Sequence, residues 1–117
     1  MPFSEHRAKA ILEALEGEEL FVQLHTGNPG LACTANVAAE TTREKAVFGA
    51  ISADTIVNTA VVEWAEYAHA EEVKWFSVWT AASGGNPEMY GELEAAVLMA
   101  VGQDLKMAIG KLKLGAL

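Results

Sequence analysis

The sequence predicts a mainly β protein: a single-domain antiparallel β-sandwich over residues 20–117, preceded by a short N-terminal helical arm over residues 1–19. Three observations carry this prediction. Apolar residues alternate with polar ones at period two over several short runs, which is how a half-buried strand reads. These runs recur every 8–14 residues and are separated by Gly, Asn and Pro. No strand–helix–strand unit, long repeat or low-complexity linker interrupts them.

The arm is read from helical spacing. Ser4 suits an N-cap, and Glu5 sits in the first turn, where the helix dipole favours an anion. Ala8, Ile11, Leu12 and Leu15 then fall at i, i+3, i+4 and i+7, and Gly17 ends the helix. With three large side chains on its stripe, the helix has to rest on something beyond itself. That support is its own β domain or a neighbouring subunit, and Ile11, Leu12 and Leu15 are candidate docking residues.

From Leu20 the period changes to two: Leu20, Val22 and Leu24 alternate with Phe21, Gln23 and His25. The strand stops at Thr26-Gly27-Asn28-Pro29-Gly30. Pro29 presets φ and Gly30 accepts a positive φ, which suits a type II turn, so Gly27, Pro29 and Gly30 are structural turn residues. Residues 31–42 have no period and read as a surface loop that could hold one helical turn. Further strands are expected at Arg43–Phe48, Ile56–Trp64, Val73–Thr80, Glu88–Leu93, Ala96–Ala100, Lys106–Ile109 and Lys111–Leu114. Gly84 and Gly85, within Ser83–Pro87, and Gly102-Gln103-Asp104 supply turns between them. The Ala- and Glu-rich run Trp64–Glu72 reads as a helical excursion or a loop.

Composition narrows the function. The chain has 117 residues, of which 51% are hydrophobic and 21% charged, so it can build a core and is not disordered. Its formal charge is −8. Nucleic acid is therefore not an expected partner, because phosphate contacts need clustered Lys and Arg. The charge is uneven, −10 over residues 1–95 and +2 over residues 96–117, where Lys106, Lys111 and Lys113 face only Asp104. Lys111 and Lys113 make the basic end a second candidate docking element. The acidic remainder reads as a solvated surface that aids solubility.

Cys33 is the only cysteine, so neither an intrachain disulfide nor a multi-thiolate zinc site can form. The N-terminal residues do not resemble a secretory signal. The most apolar stretch, Ala95–Val101, is far short of the ~20 residues that cross a bilayer, and no membrane partner is expected.

Catalytic chemistry is sparse. His6, His25 and His69 share no ligand spacing, and a histidine beside a turn usually bonds to backbone, so no metal is expected. Cys33 lies near no evident base and reads as inert filler. Gly84-Gly85 lacks the lysine and following helix of a phosphate loop, and no nucleophile elbow occurs. Glu63, Glu66, Glu71 and Glu72, and then Glu88, Glu92 and Glu94, invite a paired-carboxylate hydrolase. Solvated acidic faces explain them better in so small a domain. No cofactor is expected, and the chain reads as a non-enzyme.

The aromatic run is the most distinctive local feature. Trp75, Ser77 and Trp79 share one strand face and Phe76 and Val78 the other, so both faces are apolar, as in a strand covered on both sides. Trp75 and Trp79 are thus core or interface residues and candidates for partner docking. The alternative is a carbohydrate-binding module that stacks sugars on Trp64, Trp75 or Trp79.

Two motifs carry a resemblance. Leu24-His25-Thr26-Gly27-Asn28-Pro29-Gly30 followed by Thr34-Ala35-Asn36 is similar to the "LHTGxPGxxGTANE" opening of a family of small tailed-bacteriophage virion proteins. Trp79-Thr80-Ala81-Ala82-Ser83-Gly84-Gly85, running on to Tyr90-Gly91-Glu92-Leu93, is similar to that family's "DAASGGxxLxxGxL" segment. Val101–Asp104 and Gly110–Leu114 resemble its closing hairpin, and the likeness spans roughly residues 22–117. Arg43 matches a family Arg. Cys33 stands where the family commonly has Gly, and Ala39–Thr42 replace a Gly-rich segment with Tyr.

The resemblance implies a non-enzymatic virion structural protein of minor tail, tail-fibre or head-decoration type, with no catalytic residues to carry over. Because the chain has no fibrous extension, a capsid decoration protein on the particle exterior is the leading expectation. It would be made in the host cytoplasm and would bind the major capsid protein or other virion subunits. It is expected to be a homo-oligomer, with a trimer among the options. A minor tail or tail-fibre component of the same fold is the alternative.

Overall fold

The structure, a computed structural model, describes residues 5–50 and 55–115. The expected Ser4 cap and the Ala8 side chain lie outside the described residues. One helix, α1 (Glu5–Glu13), is followed by β1 (Glu19–His25), β2 (Glu44–Val47), β3 (Thr55–Val57), β4 (Val62–Trp64), β5 (Glu71–Trp79), β6 (Pro87–Met99), β7 (Leu105–Met107) and β8 (Lys113–Gly115).

The fold is mainly antiparallel β with a sandwich-like arrangement. One sheet has the order β2-β1-β5-β6, and two-stranded ladders β3-β8 and β4-β7 form separately. In the large sheet Val22 faces Val78 and Leu24 faces Phe76 across β1 and β5, while Leu20 faces Ala46 across β1 and β2. Strand alternation puts these residues on one face. That face is buried in one cluster with Phe48, Ile56, Val62, Trp64, Tyr67, Leu105, Met107, Leu112 and Leu114 from the ladders and loops.

α1 ends at Glu13, short of the Gly17 stop the sequence suggested; it joins the same cluster through Leu12, with Ile11 packed at its margin, and Leu15 joins from the turn that follows. Of the two supports expected for the helix, its own β domain is the one observed. Burying one such leucine stabilises the fold by about 1.5–3 kcal/mol. Gly17 donates its N–H to Phe48 O at 3.0 Å and ties the helix end to the chain beyond β2.

Three expected elements are corrected. The run Ile56–Trp64 is two strands, because fully buried Asn58 turns its side chain onto the backbone of another segment and the chain changes partner there. Glu88–Leu93 and Ala96–Ala100 are instead one 13-residue strand, β6. A bulge interrupts it, with Leu93–Ala96 set against Lys74 alone. Of the helical excursion and the loop expected after Trp64, the loop is the one observed, running to Glu71 and held by reciprocal bonds of 2.7 Å from Tyr67 N–H to Gln103 O and from Gly102 N–H to Tyr67 O.

Asn58 is the tie of the smaller layer. Its Nδ2 donates to Ala60 O (2.8 Å), Ala108 O (3.0 Å) and Met107 O (3.3 Å), and its Oδ1 accepts from Leu112 N–H (3.0 Å) and Gly110 N–H (3.1 Å). One side chain thereby links the chain after β3 to the ends of β7 and the approach to β8.

Candidate functional site

The face of the large sheet opposite the core carries the features that the sequence singled out. Pairing sets His25 beside Trp75, Gln23 beside Ser77 and Phe21 beside Trp79, with Tyr90 next to Ser77 on β6. The expected sharing of one face by Trp75, Ser77 and Trp79 holds. At its His25 end this face is covered by the chain's own loop, while Phe21, Trp75 and Tyr90 stay half-buried.

That loop begins with the expected turn. Gly30 has φ +75°, the value a type II turn demands after Pro29, and its N–H donates to Asn28 Oδ1 at 2.9 Å. The chain then doubles back. Ala35 N–H donates to Pro29 O (3.0 Å), Thr26 N–H to Asn36 O (2.9 Å) and Ala38 N–H to Leu24 O (3.0 Å). A Cβ at Gly27 would stand 3.1 Å from Asn36 Cγ, so Gly lets the returning chain approach closely. Cys33 N–H bonds to Gly30 O as a turn, and none of residues 31–42 is helical.

Cys33 itself has φ +57°, a left-handed conformation that disfavours any side chain with a Cβ. The thiol is buried, and burial pushes its pKa up, away from the reactive thiolate.

Beneath the loop runs a short polar relay. His25 Nδ1 lies 2.9 Å from Ala35 O, and a carbonyl only accepts, so Nδ1 carries the proton. Nε2 then accepts from the Ser77 hydroxyl at 2.7 Å, and Ser77 Oγ accepts from Trp79 Nε1–H at 2.8 Å. Burial pushes the His25 pKa down, against an upward pull from the Ala35 and Asn36 carbonyls. The Ser77–His25 spacing is that of a nucleophile and its base. Both side chains are fully buried, however, so the relay holds structure and offers no surface to a substrate.

Arg43 completes the arrangement. Its guanidinium carbon lies 4.0 Å from the centroid of the Trp79 ring, while Nη1 donates to Gly84 O (2.7 Å) and Ala81 O (2.9 Å). Gly85, at φ +72°, closes that turn, and a Cβ there would meet Thr80 Oγ1 at 2.6 Å. Trp79 is 8% exposed and contacts both motif segments, through Ser77 and His25 on one side and Arg43 on the other.

At the end of the same loop, Glu71 accepts from the Tyr67 hydroxyl (2.6 Å), Ala39 N–H (2.9 Å) and Glu40 N–H (3.1 Å). Burial raises its pKa, but these hydrogen bonds outweigh burial and hold it below the usual carboxylate range. Burial and the same carboxylate push Tyr67 up.

The other singled-out residues lie elsewhere. Leu12 and Leu15 face the core, and Ile11 is half-buried beside it. Lys111 is exposed, and Lys113, on β8, pairs with Glu94, whose carboxyl is held below its ordinary range by that lysine. Trp75 is half-buried, with its ring tilted 39° to that of Tyr90 at a centroid distance of 6.2 Å. Trp64 is buried, donating Nε1–H to Thr42 O at 2.9 Å. Neither Trp64 nor Trp79 therefore presents a ring face to a sugar, which corrects that part of the carbohydrate alternative.

Sequence reasoning missed the roles of Asn58, Glu71 and Tyr67. A signal existed for Asn58, a lone amide inside the apolar run Ile56–Trp64. For Glu71 none did, because its partners come from a loop without period.

Among the described residues no group of His, Cys, Asp and Glu is placed to hold a metal ion, and no helix is long and apolar enough to cross a membrane. Residues 3–115 match the family described as podophage GP4 fiber I protein gp80. The match spans nearly the whole chain, and the protein belongs to that family, one of phage virion structural proteins. No curated protein matches the chain.

Proposed function

We propose that this member of the podophage fiber I protein family is a non-enzymatic structural subunit of the tail fibre. The observation that carries the reading is the family match over residues 3–115, whose description names a fibre protein and no head component. It favours the tail alternative over the capsid decoration role expected from compactness alone.

The geometry supports a scaffold. The side chains with catalytic potential, His25, Ser77, Glu71 and Cys33, are engaged in holding or filling the loop layer. Among the described residues no buried side-chain nitrogen or oxygen lacks a hydrogen-bond partner, so none is held in reserve for a ligand. The function is then to present a rigid, loop-covered sheet face and exposed strand edges to other virion subunits. Immunogold labelling of intact virions tests the assignment. Gold on the tail fibres is the expected result, and gold confined to the head shell would overturn it.

A further inference from the structure

The chain has three tryptophans and two tyrosines, and they divide by what their polar tips do. Trp64 gives its Nε1–H to Thr42 O, Trp79 to Ser77 Oγ, and Tyr67 its hydroxyl to Glu71. Trp75 Nε1–H and the Tyr90 hydroxyl bond to nothing among the described residues. No buried side-chain nitrogen or oxygen there lacks a partner, so these two atoms reach solvent. The two residues are neighbours, half-buried on the sheet face away from the core, with ring centroids 6.2 Å apart. Tryptophan and tyrosine with an apolar body in the fold and a wet polar tip are the side chains that meet ligands and partners.

The acids beside the pair narrow what it meets. Glu92 stands directly across from Trp75 in the β5–β6 ladder, and alternation puts it on the face of Tyr90, two residues before it. Its carboxylate is exposed and makes no ion pair or hydrogen bond among the described residues. Tyr90 also lines a cleft of about 340 Å³ with Leu31, Pro87, Met89 and Glu88, and Glu88 is a second exposed carboxylate without such a partner. The surface thus offers aromatic rings, an indole donor, a phenol hydroxyl and two groups that only accept.

We infer that this surface binds a neutral saccharide. A pyranose ring has the matching parts. Its face of C–H groups lies on the electron-rich face of an aromatic ring, and its hydroxyls donate to carboxylates in charge-assisted hydrogen bonds. Charge selects the class. On a chain of net charge −8, Glu88 and Glu92 repel an anionic sugar, and unpaired glutamates are depleted from the core of a protein interface. Trp75, Tyr90 and Glu92 all stand on paired strands, which fix their spacing. The inference does not depend on the fibre assignment: saccharide binding in solution and gold on the tail can each succeed or fail without the other.

Calorimetric and fluorescence titrations of the full chain with cellohexaose, maltohexaose and chitohexaose test it. At least one should bind in the high-micromolar range and shift the tryptophan emission to the blue. Trp64 and Trp79 are buried, so the shift reports Trp75, and Trp75→Phe should abolish it. Trp75→Ala and Tyr90→Ala should weaken binding about tenfold or more, and Glu92→Gln, at an exposed site, about threefold or more. Circular dichroism checks that each variant is folded. Hexagalacturonate, an anionic counterpart, should bind more weakly than the neutral probe. Binding of none of the three, as a face reserved for a protein partner would give, binding that folded Trp75→Ala and Glu92→Gln leave unchanged, or tighter binding of hexagalacturonate would overturn the inference.

Discussion

The two flanks of β5 are finished in opposite ways. On the β1 side, among the described residues, the buried polar side chains are bonded within the chain: His25, Ser77, Trp79 and Arg43 join the loop after β1 to the turn before β6. On the β6 side the strand passes a bulge and continues as an uncharged apolar edge with Leu98 in solvent. The difference teaches where the hydrophobicity of this small chain goes. The closed flank needs polar side chains because its cover is a loop, whose backbone groups must be satisfied without a ladder.

Substitutions inside the closed regions should be costly, and those at the open edge should leave the fold alone. The largest effect is expected at Asn58. Asn58→Ala strands the Leu112 N–H and removes a donor from the Ala60, Met107 and Ala108 carbonyls, while Gly110 N–H keeps its backbone bond to residue 58 and Ala108 O its bond from Lys111 N–H. The loss should be about 3–4 kcal/mol, read by urea denaturation. Ser77→Ala comes next. It leaves His25 Nε2 and Trp79 Nε1–H unpaired in a buried site, at a cost of about 2–3 kcal/mol by the same measurement.

A smaller effect should appear with pH. His25 is held below its ordinary value when folded, so the unfolded chain binds the proton first. Stability should therefore be level above about pH 7 and decline as the pH falls through about 6.5, the unfolded value. Below the ordinary carboxylate range Glu71 adds a further loss, since protonation breaks its hold on Ala39 and Glu40. Denaturation midpoints compared between wild type and His25→Gln, which should lose the slope around pH 6, check the assignment.

The smallest effect belongs to Cys33→Gly. Relief of the positive φ, worth about 1–2 kcal/mol, offsets the lost burial of the thiol, so the midpoint should hardly move. Cys33→Val, with a branched Cβ at the same φ, should be clearly destabilised. At the open edge, Leu98→Asp should change the stability of the folded monomer by no more than about 0.5 kcal/mol.

Much of the closed flank was legible because local chemistry dictates it. Pro29-Gly30 names its turn, Ser83-Gly84-Gly85 names another, and alternation puts Trp75, Ser77 and Trp79 on one face. The placing of His25 against backbone also followed from its position at a turn. What escaped is non-local. Asn58 binds carbonyls about 50 residues away in sequence, so nothing near it announces that Ile56–Trp64 breaks in two. The expected strands Glu88–Leu93 and Ala96–Ala100 leave Glu94 and Ala95 between them, but a bulge absorbs the extra residues and the ladder to β5 resumes. The helix stripe of Ile11, Leu12 and Leu15 was readable as a stripe, but its support could not be chosen until the core was assembled.

The central claim, a structural subunit of the fibre, is tested most directly by cryo-electron microscopy of the intact virion. Density for this elongated domain, 43 × 26 × 26 Å, is expected within the tail fibre. Density for it on the capsid shell, with fibres that lack it, would contradict the account.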